Sequence, residues 1–177
     1  LQKFDKSISR INKLINELLS VSRIESGNFE LNKKENNINE LVTEAVSHFD
    51  KDKQRISLVG NIKEDIIFDY DRMLQVMENL ISNALKYSSE DTPIEVLVKD
   101  DGNQVRLIVK DHGIGINKDE IQYLFDRYYR VSNKMNASGL GLGLFISKQI
   151  ARSHGGDIMV ESEAGNGAKF IVKLPKN

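Results

Sequence analysis

From Asp71 to Tyr87, DRMLQVMENLISNALKY, apolar residues recur at three- and four-residue steps: Met73, Val76, Met77, Leu80, Ala84 and Leu85. That spacing draws one apolar stripe along a helix that faces a core. Asn79, Asn83 and Lys86 share a different face, at i, i+4 and i+7. Two carboxamides and an ammonium in a row can offer carbonyl oxygen to a hard cation and positive charge to phosphate. Taken alone, such a face reads more readily as the solvated side of an ordinary amphipathic helix, so the remaining elements decide.

Phe4, Ile8, Ile11, Ile15 and Leu18 alternate steps of four and three, a heptad seam that Leu14, Leu19, Val21 and Ile24 widen. It predicts an N-terminal helix about 36 Å long that ends at Gly27. Its broad stripe calls for a partner helix; the alternative is a terminal helix docked on its own domain. Phe29 and Leu31 predict a strand within Asn28–Glu35, and Ile38–Phe49 returns to helical spacing. Ile56–Val59 and Ile66–Phe68 read as short strands, after which Asp69 or Asp71 caps the organising helix. Ile94, Val96 and Val98, then Val105, Leu107 and Val109, alternate around Asp101-Gly102, a strong hairpin signal. Lys118–Phe125 predicts a short helix, and Val131–Ser138 a mobile loop. The Gly139–Leu144 run leads into a helix that ends at His154-Gly155-Gly156. Asp157–Ser162 and Lys169–Leu174 close the chain as strands around Gly165-Asn166-Gly167.

A chain of 177 residues with 40% hydrophobic residues builds one good-sized domain, or one domain with an appendage. No apolar run approaches the ~18 residues of a spanning helix, and mean hydropathy is −0.39. With 25 basic and 26 acidic side chains the net charge is −1, so no global field advertises a nucleic acid or an anionic membrane as partner. The absence of cysteine excludes disulfides and thiolate metal sites. The chain opens in mid-helix pattern, which reads as a fragment of something longer.

The hairpin delivers Asp111 immediately before His112-Gly113-Ile114-Gly115. A carboxylate beside glycine backbone can accept from the amino group of a planar ligand. Adenine has that group, whereas guanine presents an oxygen; a solvated turn is the plainer reading. Gly139, Gly141 and Gly143 at a helix entrance suggest backbone that approaches something closely, and amides there favour anions; a hinge is compatible. The pattern matches neither the phosphate loop nor the dinucleotide fingerprint. Arg127, Arg130 and Lys134 flank this run and could reach phosphates. Phe125, Tyr128 and Tyr129 read as loop anchors in the core. His48 reads as an unpaired surface residue, and His112 and His154 as turn residues without carboxylate partners.

Taken together, NLISNALKY, DHGIGI, FDRYYR and GLGLGLF, closed by GNGAKFIVKLP, resemble the ATP-binding catalytic domain of sensor histidine kinases. These belong to a superfamily that includes gyrase and the Hsp-type chaperone ATPases. The resemblance covers about residues 28–175. Residues 1–27, ending LLSVSRIESG, resemble the end of the second helix of a dimerisation and phosphotransfer domain, leaving 28–177 as the catalytic domain. The resemblance implies an α/β (α+β) two-layer sandwich of the Bergerat type, a mixed sheet covered on one face by three helices, plus the N-terminal helix. It also implies binding of ATP and Mg2+, with Asn83 on the metal, Asn79 supporting it and Lys86 on phosphate. Tyr87 would line the pocket and Asp111 would take the adenine amino group, with Gly113 and Gly115 allowing close approach. Arg130 would contact the γ-phosphate, Gly139, Gly141 and Gly143 would supply hinge and amides, and Glu78 would help activate the acceptor histidine. The implied partners are ATP, the histidine-bearing dimerisation domain of the parent, which would be a homodimer, and a response regulator receiver domain. The implied location is the cytoplasmic side of a membrane-anchored parent.

Leu140 and Ala168 depart from this pattern at places where relatives often carry Thr, with Ser138 near the first of them. The acceptor-histidine motif is missing, so the chain is expected to bind Mg-ATP without phosphorylating itself on the usual histidine. Two rivals stay open. One is an ATP hydrolase, whose general-base glutamate would stand where Asn79 is. The other is a binding module on the same fold that no longer turns over.

Overall fold

The computed structural model describes residues 2–131 and 139–176. Helix α1 spans Gln2–Glu25. Gly27, at φ 70°, ends it, and the Asn28 N–H bonds back to the Arg23 carbonyl at 3.0 Å in the six-to-one closure of a glycine-terminated helix. Ile8, Ile11, Ile15, Leu18 and Leu19 are about half exposed, while Val21 is buried against the body. The heptad seam therefore points largely away from the domain; the side chain of Phe4 lies outside the described set.

Strand β1 (Lys34–Asn36) leads into helix α2 (Ile38–Ser47), capped by Asn37, whose side chain accepts from the Asn39 and Glu40 amides. Strands β2 (Ile56–Val59) and β3 (Ile66–Phe68) precede helix α3 (Tyr70–Tyr87). The hairpin β4 (Ile94–Asp100) and β5 (Gln104–Lys110) follows, then the short α4 (Lys118–Ile121), α5 (Gly143–Ser153), β6 (Asp157–Ser162) and β7 (Ala168–Pro175). The main sheet has the order β2-β4-β5-β7-β6; β2 joins β4 in parallel and the other pairs are antiparallel. β1 and β3 form a separate antiparallel pair.

Val96, Val98, Val105, Leu107, Val109, Val172 and Leu174 alternate on the sheet face that is buried with the apolar sides of α2, α3 and α5. This is the expected two-layer sandwich. Met73, Val76, Met77, Leu80 and Ala84 are buried as their spacing requires, and so is Ile81, which the stripe omitted. α3 packs against both α2 and α5, so its buried arc is wider than one stripe.

Two elements differ from expectation. The segment before β1 is not a strand: the Asn32 N–H donates to Asp69 Oδ2 at 2.7 Å, and Phe29 lies under the Arg72 guanidinium, 5.1 Å from ring centroid to Cζ. Its backbone is tied to a side chain rather than to a neighbouring strand. α4 stops at Ile121 because Tyr123, Leu124 and Asp126 bond three residues back, the tighter 3-10 pattern. The expected loop falls almost wholly on 132–138, and with it Lys134 and Ser138, outside the described residues.

Candidate functional site

The site begins with the cap of α3. Asp69 Oδ1 accepts the Arg72 N–H at 3.1 Å, and Oδ2 holds Asn32, so one buried carboxylate fixes where α3 starts. From that start the helix projects Asn79, Asn83, Lys86 and Tyr87 into one cavity. Asp111 and Gly115 reach it from beyond β5, Arg130 from the FDRYYR stretch, and Gly139, Gly141 and Gly143 from the entrance of α5. Leu140 and Ala168 also line it.

Asp111 is 5% exposed. Its Oδ1 accepts the Gly113 N–H at 2.8 Å and the Ala168 N–H at 3.2 Å. Burial pushes this carboxyl above its ordinary value, against the pull of those two amides and of His112. Tyr87 is likewise pushed up by burial, with Arg130 opposing. The Lys86 ammonium sits 5.1 Å from the Tyr87 ring centroid. The cavity therefore has an acceptor in a dry setting and, among its other walls, carboxamide oxygens and cationic side chains.

Two expected residues are not on the wall. Gly113 lies behind Asp111, and a Cβ there would stand 2.2 Å from the Tyr87 carbonyl oxygen. Its close approach is to the chain itself. Glu78 faces a neighbouring groove between α1 and α3, where it meets His48 Nδ1 at 2.5 Å. Two of the three alternating glycines have the same kind of explanation. A Cβ on Gly141 (φ 72°) would come 2.7 Å from the Tyr129 carbonyl oxygen, and one on Gly143 would come 2.4 Å from Asn79 Oδ1. Gly139 has open space around its Cβ position.

Several side chains depart from their sequence reading. His48 is paired with Glu78, and Glu44 lies 3.9 Å from its Nε2. His112 Nε2 lies 3.0 Å from Glu95 Oε1, which also binds Lys110 at 2.7 Å; both partners hold the Glu95 carboxyl below its usual range. His154 stands in the turn that ends α5, as read, and is buried there. Sequence spacing missed Glu78 and Glu95 because each is brought in from another helix or strand, whereas Glu44 stands one turn before His48 on α2 itself. Arg127 pairs with Glu25 and covers the Phe145 ring, so it serves α1 and α5 rather than the cavity. Phe125 packs on the core as expected, but Tyr128 is 59% exposed and Tyr129 lines the cavity. Leu14 and Glu17 of α1 also line it, a contact that no local pattern announces.

Among the described residues no group of three His, Cys, Asp or Glu side chains could hold a metal ion. The donor set fits only a cation that brings most of its ligands with it. Magnesium does so when it rides on phosphate oxygens and keeps its waters.

The model for histidine kinase-, DNA gyrase B- and HSP90-like ATPases matches residues 68–177. The chain belongs to this family. Within it, the chain is similar to the sensor protein SrrB of Staphylococcus aureus (strain MRSA252), 38% identical over 173 residues that cover 94% of this chain and 30% of SrrB. The chain thus spans under a third of that relative. Among solved structures, full-length ShkA in complex with AMPPNP matches with a TM-score of 0.81 at 25% identity, over 96% of this chain and 36% of ShkA. The catalytic domain of histidine kinase ThkA matches at 0.71 and 29% identity, over 82% of this chain and 97% of that domain. The chain is accordingly a histidine kinase-type ATP-binding domain of the sensor-kinase branch, and the mixed sheet with its helical layer is the family's fold. No described helix is long and apolar enough to cross a membrane.

Proposed function

We propose that this chain binds Mg-ATP and donates its γ-phosphoryl group to a histidine on the dimerisation domain of a two-component sensor kinase. The observation that carries the reading is that Asp111 and Asn83, distant in sequence, line one cavity. Asp111 takes the adenine amino group, its Oδ1 held by two amides, and Tyr87 and Gly115 line the base and sugar region. Asn83 holds magnesium with Asn79 in support, and the metal's role is to neutralise phosphate charge. Lys86 and Arg130 offset charge on the β- and γ-phosphates, and the Gly139–Gly143 backbone follows the chain of phosphates. Phosphoryl transfer through a loose transition state needs position and charge balance more than covalent help, which suits this donor set. Glu78 lies outside the cavity in the groove beside α1, and its proposed role is toward an incoming acceptor histidine rather than toward the nucleotide.

The parent is read as a membrane-anchored homodimer with this domain in the cytoplasm and a response regulator as phosphoryl recipient. Residues 1–27 are read as the C-terminal part of the second helix of its dimerisation and phosphotransfer domain, and the half-exposed seam suits a partner helix. The test is a titration of a fluorescent ATP analogue, with magnesium, against the wild-type chain and Asp111→Asn. Binding by the first and its loss in the second is the expected result. No binding by the folded wild type would instead favour a module that has kept the fold without the nucleotide.

A further inference from the structure

Ser147 stands on α5, four residues after Gly143, and is 2% exposed. Its Oγ accepts a hydrogen bond from Asn79 Nδ2 at 3.0 Å. The other half of the same carboxamide, Oδ1, lies against the first turn of α5, so close that a Cβ on Gly143 would come within 2.4 Å of it. A carboxamide is nearly symmetric in shape, and its two ends are opposite in polarity. Something must decide which end faces where.

Two features of α5 decide it together. The start of the helix carries unsatisfied amides and positive potential, and its N-cap, Leu142, supplies no side-chain hydrogen bond. An oxygen is favoured there and an amino group is not. Four residues on, the hydroxyl of Ser147 gives the amino group an acceptor. Asn79 is hydrogen-bonded at its amino end and closely packed at its oxygen end by one helix, although it belongs to another, and it also lines the cavity.

We infer that Ser147 is a positioning residue of the nucleotide site, which holds the Asn79 carboxamide with its carbonyl oxygen toward the entrance of α5. The inference rests on the nucleotide reading above. A neutral carbonyl oxygen suits magnesium or a water bound to it; an amino group in that place would repel the cation. Without Ser147 the amide rotates or samples both orientations, and the metal-dependent part of nucleotide binding weakens. Binding of the base, which depends on Asp111, is untouched.

The experiment measures ATP affinity with magnesium and in excess EDTA, for the wild type, Ser147→Ala, Asn79→Ala and the double variant. Alanine is a good helix former, so Ser147→Ala keeps α5, and a thermal melt checks that. The expected result is roughly three- to tenfold weaker Mg-ATP binding in Ser147→Ala, with metal-free ATP affinity unchanged. In the Asn79→Ala background, Ser147→Ala adds no further loss. In NMR spectra the Asn79 side-chain amide protons, slow to exchange in the wild type, become fast in Ser147→Ala. Equal losses with and without magnesium, or a full additional loss in the double variant, would mark Ser147 as mere packing and overturn the inference. If the wild type binds no ATP at all, the nucleotide reading fails, and Ser147's part in it fails too. The amide spectrum would still report whether the Asn79–Ser147 grip exists.

Discussion

His154 Nε2 accepts the backbone N–H of Asp69 at 2.9 Å, while its Nδ1 donates to the Ile150 carbonyl at 2.8 Å. One buried ring joins the last turn of α5 to the residue that caps α3, so both helices that flank the cavity are referred to it. This arrangement needs the neutral ring, with its proton on Nδ1. Burial is the main force that pushes His154 below its ordinary value of 6.5, with the Ile150 bond and Asp69 opposing.

The sign of the resulting pH dependence is fixed. An unfolded chain takes up the proton as pH falls through about 6.5, whereas the folded chain resists until a lower pH. Stability from His154 is thus present above that value and is lost as pH falls from it toward the depressed folded value. Unfolding free energies from urea titrations should be unaffected by this group between pH 8 and about 6.5, and should then fall toward pH 5 by as much as about 1.4 kcal/mol per pH unit. His154→Gln should flatten that slope; an unchanged slope would show that other groups carry it.

Gly167 and Gly102 share a left-handed backbone, at φ 75° and 76°, yet their surroundings differ. A Cβ on Gly102 meets nothing within 4 Å, whereas one on Gly167 would stand 2.1 Å from the carbonyl oxygen of Asp111. Gly102→Ala should cost about 1 kcal/mol, the strain of the conformation. Gly167→Ala should cost roughly 2–4 kcal/mol and weaken nucleotide binding, because the strand end that carries Asp111 has to move. Chemical denaturation of the two variants side by side checks the difference.

Guanine presents an oxygen where adenine has its amino group, and opposite Asp111 that sets acceptor against acceptor. An unmatched buried acceptor costs about 1–3 kcal/mol. The wild-type chain should therefore prefer ATP to GTP by roughly tenfold to a hundredfold in competition titrations. Equal affinities would remove Asp111 from the base-reading role.

None of the chain's histidines lines the nucleotide cavity: His48 meets Glu78 in the groove beside α1, His112 lies against Glu95, and His154 is buried. Incubation with γ-labelled Mg-ATP should leave no acid-labile, base-stable phosphate on the 177-residue chain. A stoichiometric signal of that kind would contradict this assignment.

The helix that carries Asn79 and Asn83 was legible in its extent and main apolar stripe, because an amphipathic period and an aspartate cap are local properties; the burial of Ile81 was not, because it depends on α3 packing against two helices. The hairpin around Asp101-Gly102 was legible for the same reason. What escaped was tertiary. Glu95 reaches His112 only because β4 pairs with β5 in a register that sets Glu95 opposite Lys110. Glu78 finds His48 only because α2 lies on α3. The alternating glycines suggested close approach, correctly, but at 141 and 143 the neighbour is the Tyr128–Tyr129 backbone or Asn79. No spacing rule separates a glycine kept for a ligand from one kept for its own fold. The Arg127 error was of the same type, since its partner Glu25 lies on the distant α1.

Leu14 and Glu17 give the cavity a wall that belongs to α1, while Ile11, Ile15 and Leu18 on the rest of that helix's circumference are open to another surface. A helix turns by about 100° per residue, so even a fraction of that twist, applied at the open side, carries Leu14 and Glu17 along the rim. Whatever covers the open side of α1 therefore shares one rigid secondary element with a wall of the pocket, and a rotation of that helix would reshape the pocket directly.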